Sequence, residues 1–439
     1  MRENKTLKTN SFENKEENAM TKTNTDNTLI VADGKRFSLD CYETKLNNNV
    51  LVVGASGTGK TRNIVIPNLL QASGSYIVCD PKGVLFKEYG EYMREQGYKV
   101  KYLDFIHPEK SDRYNPFAYL KTTQDILKMA NMIVQPEGSI SKDPFWDDAG
   151  TLLMASLISY IKTKYPSDKQ TLATVLTLLT EAHREDFGGS TMLDEKMEVL
   201  AKESPDCWTV KMYNEANVAA EKTWNSILIT LTAKLCNFNT EELNLMLRSD
   251  YIDIRSIGQK KTVLFVVVSD TDRSMDMLVN TFFTQAMNEL CSYADEECEG
   301  YRLPVPVRFI MDDFATNCKI MEFPRMISSI RSRGISTMLM IQAESQLMEG
   351  YGKDGATIIS NCDTYCYLGG TDLDTARDIA ERVDEPVKNV LYMPVGHIWV
   401  FRRGEEPCFC KNFVLEEFDR YKEAKEMNRK EKSEGAITQ

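Results

Sequence analysis

The chain has 439 residues, 42% of them hydrophobic, enough for two cores or for one large domain carrying a sizeable insertion. Its 53 Lys and Arg against 65 Asp and Glu leave a formal charge of -12. That balance excludes a protein coating a duplex with an overall basic surface, so a nucleic-acid partner would have to meet a local basic one. No apolar run reaches the ~18 residues of a membrane-spanning helix, and the 11 cysteines contain no C-x-x-C pair, which reads as reduced structural thiols in a reducing cytosol.

Residues 1–28 are dominated by Asn, Lys, Glu and Thr without an apolar core, and read as a disordered leader. From 29 to 120, short β-rich runs alternate with helical stretches. Asn49–Val53 predicts a buried strand, and Thr61 to about Gln71 a helix that Pro67 bends or shortens. Ser75–Cys79 is a second strand, ending on Asp80-Pro81-Lys82-Gly83, and Lys99–Asp104 a third. Between 121 and 250 the β texture gives way to apolar residues at helical spacing, such as Leu153, Leu157, Tyr160 and Ile161, and an all-α domain is expected. Strands return over 251–415 at Thr262–Val268, Val307–Met311, Ser336–Ile341 and Thr364–Leu368, with a last β-rich piece at Gly396–Arg403. Residues 416–439 form a charged tail, read as solvated helix or disorder. The alternation implies an α/β fold with a parallel-rich central sheet covered on both faces and split around the helical insert.

Chemistry concentrates at strand ends. Gly54-Ala55-Ser56-Gly57-Thr58-Gly59-Lys60-Thr61, between a predicted strand and a predicted helix, satisfies G-x-x-x-x-G-K-[ST] in its required context. Glycines let backbone N–H groups close around phosphate, Lys60 neutralises β and γ oxygens, and the Thr61 hydroxyl ligates magnesium. The loop, with Arg62 after it, is therefore assigned to ATP with Mg2+. Such a loop needs an acid at the end of a neighbouring apolar strand, and Val307–Met311 runs into Asp312-Asp313. Asp312 is the candidate for the metal shell together with Thr61, and Asp313 for the acid or base that orients water; the plainer alternative is helix capping. Asp80 and Lys82 end another strand, where turn formation competes with a ligand role. Arg331 and Arg333, with Arg325 before them, form a solvated basic face by default, but in a ring one arginine can reach a neighbour's γ-phosphate. Gln342 follows the Ser336–Ile341 strand, placed to sense γ-phosphate or merely to edge the core. Phe145 and Trp146 invite base stacking, against ordinary packing at a helix start.

Taken in order, Asn47-Asn48-Asn49 through the glycine loop, Pro67-Asn68-Leu69, Asp80-Pro81-Lys82-Gly83, Tyr114-Asn115-Pro116-Phe117, Asp143-Pro144-Phe145-Trp146, Met311-Asp312-Asp313-Phe314-Ala315 and Arg333-Gly334-Ile335-Ser336 resemble the type IV coupling proteins, the TraG-like ATPases of conjugative plasmids and integrative elements. The resemblance implies a RecA-like P-loop NTPase domain interrupted by an all-α domain, assembling as a homo-hexamer that carries relaxase-bound single-stranded DNA to a type IV secretion channel. It implies phosphate and magnesium roles for Lys60 and Thr61, acidic-strand roles for Asp312 and Asp313, a trans arginine at Arg331 or Arg333, and a sensor at Gln342. Three departures stand out. The family's N-terminal membrane helices are missing, so a cytoplasmic protein is expected, peripheral to the membrane through partners or through an anchor absent from this chain. Asp313 stands where the family commonly has Glu, and Val84 follows Asp80-Pro81-Lys82-Gly83 where the family has Glu. Competing readings are an FtsK or HerA-like pump for double-stranded DNA, and a poorly hydrolysing docking component whose sequence support is Asp313.

Overall fold

Runs of Val, Ile, Leu and Met without polar alternation form the central strands because a parallel sheet is covered on both faces. A computed structural model describes residues 27–135, 144–183, 189–218, 221–314 and 316–435. Residues 1–26 of the expected leader, Asp143, Ala315 and residues 436–439 of the tail lie outside the described residues. The strands are β1 (Thr28–Ala32), β2 (Lys35–Ser38), β3 (Val50–Val53), β4 (Ser75–Pro81), β5 (Lys99–Asp104), β6 (Thr262–Val268), β7 (Val307–Met311), β8 (Ile335–Ile341), β9 (Thr364–Tyr367), β10 (His397–Arg402) and β11 (Cys408–Lys411). Nine of them make one sheet in the order β11-β10-β9-β3-β8-β7-β4-β6-β5. From β9 through β5 every pairing is parallel, whereas β10 and β11 add an antiparallel hairpin at one edge. The separate β1–β2 hairpin and β11 were not expected from the sequence; Lys35-Arg36-Phe37-Ser38 and Cys408-Phe409-Cys410-Lys411 carry no apolar run to announce them.

The two sheet faces bury different clusters. Leu51, Ile77, Leu103, Leu264, Phe309 and Leu339 share one continuous core with the helices that lie between residues 121 and 250. Those helices are Thr123–Val134, Pro144–Lys164, Leu172–Glu181, Met192–Glu203, Trp208–Asn217, Glu221–Cys236 and Glu241–Leu247. Capping boxes start two of them: Thr122 and Asp125 exchange side-chain and backbone hydrogen bonds, as do Thr191 and Asp194. Trp224 is fully buried, its indole N–H donating to the Ala182 carbonyl at 2.9 Å. On the opposite face Val50, Val52, Val78, Phe265, Met338 and Met340 pack beneath residues 60–70, the Val84–Glu95 helix and the C-terminal Asp419–Gly435 helix.

Two local features bear on the site. Residues Lys60–Val65 form a π-helical turn that continues as the α-helix Ile66–Leu70, with the Ile66 N–H reaching back five residues to the Thr61 carbonyl. Pro67, lacking an N–H, sits just beyond this widened turn, so the bend expected from it appears as a change of helical pitch. The C-terminal helix, though highly charged, docks: Ala424 is 1% exposed, the Arg420 guanidinium donates to the Leu70 carbonyl at 3.1 Å, and Lys425 pairs with Glu88.

Candidate nucleotide site

The glycine loop is hung from two neighbouring strand ends. Gly54 N–H donates to the Ile341 carbonyl at 3.1 Å, and Ala55 N–H to the Gly369 carbonyl at 2.9 Å. A Cβ on Gly54 would lie 2.7 Å from Thr58 Oγ1 and 3.1 Å from Leu368 Cβ, and Gly59 is left-handed at φ +94°, so glycine is required at both positions. Lys60 Nζ donates to the Gly54 carbonyl at 2.5 Å and the Ala55 carbonyl at 3.3 Å, which curls the ammonium back over the loop. Burial lowers its pKa, while the neighbouring Asp313 and Asp312 pull it back up.

Strand order fixes how the acid meets the loop. β8 stands between β3 and β7, so Asp312, directly after β7, lies about 10 Å from the loop strand at the usual strand spacing. Thr61 spans that gap: its Oγ1 donates to Asp312 Oδ2 at 2.6 Å. Burial pushes the Asp312 carboxyl up and Asp313 adds to this, against the Thr61 hydrogen bond and the Lys60 charge. Asp313 has φ +50°, a left-handed backbone that costs an ordinary residue on the order of 1 kcal/mol. Its carbonyl accepts from the Asn317 N–H at 3.0 Å, while its half-buried carboxylate makes no hydrogen bond or ion pair among the described residues. Neither acid caps a helix, since the next one, Phe323–Ile327, starts after Glu322.

Gln342 follows β8 and is exposed, so topology sets it between the loop and Asp312; its own N–H donates to Gln346 Oε1 at 2.7 Å. Asp80 caps the Val84–Glu95 helix, accepting from the Leu85 N–H at 3.0 Å and the Phe86 N–H at 2.9 Å. Burial raises it to about 6 despite those donors. Lys82 pairs with Asp270 at 2.7 Å. Arg62 pairs with Glu416 of the C-terminal segment. Trp146, near the start of the Pro144–Lys164 helix, is 38% exposed.

Arg331 and Arg333 are not brought to this edge. Both precede β8, at the amino end of the sheet, while the loop lies at the carboxyl end. Arg331 Nη2 donates to the Cys41 carbonyl at 2.7 Å, and Arg333 makes a two-pronged ion pair with Asp295 at 2.7 and 2.8 Å. Asn49, which the sequence offered as the start of a strand and as part of a resemblance, proves to be a clamp. Its Nδ2 donates to the Asn361 carbonyl at 3.0 Å and its Oδ1 accepts from the Thr337 N–H at 3.0 Å, fixing the amino end of β3, the strand that carries the loop, against its neighbours. A polar residue immediately before an all-apolar strand was the available signal.

The residues fit a magnesium nucleotide. Thr61 and Asp312 offer one hydroxyl and one carboxylate side by side. Among the described residues no cluster of three or more His, Cys, Asp or Glu side chains could cage a metal. That sparse donor set suits an ion that keeps waters and takes phosphate oxygens.

A strand inserted between the loop strand and the acid strand, with helices on both faces, is the core of a RecA-like P-loop NTPase. The family described as Type IV secretory system Conjugative DNA transfer matches residues 1–385, and the chain belongs to it. Protein VirD4 of Rhizobium radiobacter is 25% identical over 354 residues, covering 76% of this chain and 48% of VirD4. The bacterial conjugative coupling protein TrwBdeltaN70, in an unbound monoclinic form, superposes with a TM-score of 0.67 at 16% identity, covering 90% of each chain. The plasmid coupling protein TrwB in complex with ADP and Mg2+ gives 0.60 at 18% identity, over 83% of this chain and 85% of that one. The chain spans about half the length of the curated relatives it matches. Among the described residues no helix is long and apolar enough to cross a membrane.

Proposed function

We propose that the chain is the ATP-driven coupling protein of a conjugative DNA-transfer system, taking relaxase-bound single-stranded DNA and driving it into a type IV secretion channel. The observation that carries the reading is the Thr61–Asp312 hydrogen bond of 2.6 Å, which joins the phosphate loop to the acidic strand and leaves the Asp313 carboxylate alongside, without a partner among the described residues. Membership of the conjugative-transfer family and the TrwB fold, solved with ADP and Mg2+, support it.

In this reading the loop amides and Lys60 hold the β- and γ-phosphates of ATP, Thr61 and Asp312 hold Mg2+, and Asp313 takes a proton from the attacking water. Magnesium, when bound, supplies neutralisation of phosphate charge. Gln342 senses the γ-phosphate from between loop and acid. Arg331 or Arg333, on the opposite edge of the sheet, cannot complete its own chain's site and would serve a neighbour's. That requirement is the physical reason to propose a ring, with six subunits by family analogy. Such a ring would sit at the cytoplasmic face of the membrane, held by channel components or by an anchor outside this chain.

The test is steady-state hydrolysis of Mg-ATP with and without single-stranded DNA. The wild type should turn over and accelerate with DNA. Lys60→Ala and Asp313→Asn should each lose at least ~100-fold in rate, with Asp313→Asn still binding ADP. A Lys60→Ala rate equal to wild type would refute the site, and a flat near-zero wild-type rate would leave the docking-component reading.

A further inference from the structure

β7 carries a charge where its neighbours are apolar. Phe309 and Met311 face one core cluster and Ile310 the other, and strand alternation puts Arg308 on the Ile310 face. In register it is flanked by Tyr76 of β4 and Ser336 of β8. Arg308 is only 6% exposed. Its Nε donates to Ser336 Oγ at 3.2 Å, and among the described residues its other nitrogens find no acceptor and no carboxylate. A guanidinium has five N–H donors and stays charged, so burying one without an anion is costly.

The Arg308 side chain lines a cavity of about 230 Å³ at the amino edge of the sheet, far from the glycine loop, and two further arginines stand in its wall. Arg331 is oriented by its hydrogen bond to the Cys41 carbonyl at 2.7 Å. Arg302 lies over the Tyr42 ring, 5.1 Å from its centroid. Among the described residues Asp40 is the one acid in the lining, and its carboxylate is engaged by the Tyr42 N–H at 2.8 Å and the Glu43 N–H at 3.2 Å. Among the described residues three arginines therefore share the lining with one committed carboxylate, on a chain whose net charge is -12.

We propose that this cavity is a second anion site, distinct from the glycine loop, that takes a phosphoryl group with Arg308 at its floor and Arg302 at its wall. Planar forks of N–H donors match the oxygens of phosphate in pairs, and several forks converging on one cavity exceed what a chloride ion can use. The phosphoryl group comes from a free nucleotide or from a DNA backbone, which present the same oxygens.

The probe is inorganic phosphate, titrated calorimetrically into the full chain saturated with Mg-ADP so that the glycine loop is filled, at matched ionic strength against chloride. Saturable binding is expected, with a rise in the thermal midpoint as ligand linkage requires. Arg308→Met should weaken phosphate at least tenfold while leaving ADP affinity unchanged, and Arg302→Gln, on the wall, should weaken it similarly should Arg308→Met fail to fold. A 20-nucleotide oligothymidylate that displaces phosphate identifies the backbone as the source, and displacement by excess ADP alone identifies nucleotide. The proposal is overturned if phosphate does not bind, or if wild type and both variants respond to it alike.

Discussion

Two buried aspartates at one sheet edge do different work. Asp80 is tied to the Leu85 and Phe86 amides as a cap, while Asp312 meets the Thr61 hydroxyl. The Asp80 pKa of about 6 in the folded chain lies above the ~3.9 of an unfolded aspartate. The folded state therefore holds this proton more tightly, and the resulting stabilisation is full below pH ~4 and lost as the pH rises through about 6. Thermal or urea unfolding across that window should show wild type losing about 2 kcal/mol more than Asp80→Asn. Equal slopes would show that Asp80 does not titrate in this way. Asp312 is also raised by burial, so proton uptake competes with its metal role at higher pH than for an exposed aspartate. The pairing of Asp312 with Thr61 was legible in the sequence, but the titration of the two acids was not: Asp80 in Asp-Pro-Lys-Gly reads equally as a turn residue, and burial of an acid depends on what packs over the strand end.

At the level of elements, the inner strands were legible because Thr262–Val268 and Ile335–Ile341 are buried along their whole length and so read as continuous apolar runs. The strands β2 and β11 were not, because four-residue strands leave too short a pattern, although β10, the partner of β11, was expected. The position of Arg331 and Arg333 was in fact inferable. Residues that precede a strand of a parallel sheet lie at its amino edge, away from a loop that follows a strand. Arg308 was visible as a letter within a predicted strand, but its missing counter-charge was not, since that depends on which side chains of β4 and β8 flank it. The charged tail illustrates the same limit: its helix docks through Ala424, against Val84–Glu95. Ala424→Arg should destabilise the fold by about 1–3 kcal/mol in thermal unfolding, whereas an unchanged midpoint would mean that the helix contributes nothing to stability.

Across the whole molecule, the helical segment and the central sheet share one core, while the residues proposed as catalytic lie at opposite sheet edges. A single chain holds loop, acids and Gln342 together but keeps Arg331 and Arg333 at the far end of β8. Shared cores transmit displacement because packed interiors are stiff, so events at the loop can be felt by the helices packed on the sheet. A trans arginine commonly contributes 10³-fold or more to phosphoryl transfer, on the order of 4 kcal/mol, so an isolated chain should be a poor ATPase and a ring a good one. The most direct test is subunit mixing. Lys60→Ala, which retains both arginines, and the double variant Arg331→Ala with Arg333→Ala, which retains the loop, should each be nearly inactive alone. Mixed in equal amounts with Mg-ATP and single-stranded DNA, they should recover hydrolysis well above the sum of their separate rates. No recovery, in mixtures shown by co-purification to contain both chains in one assembly, would contradict a site shared between neighbours.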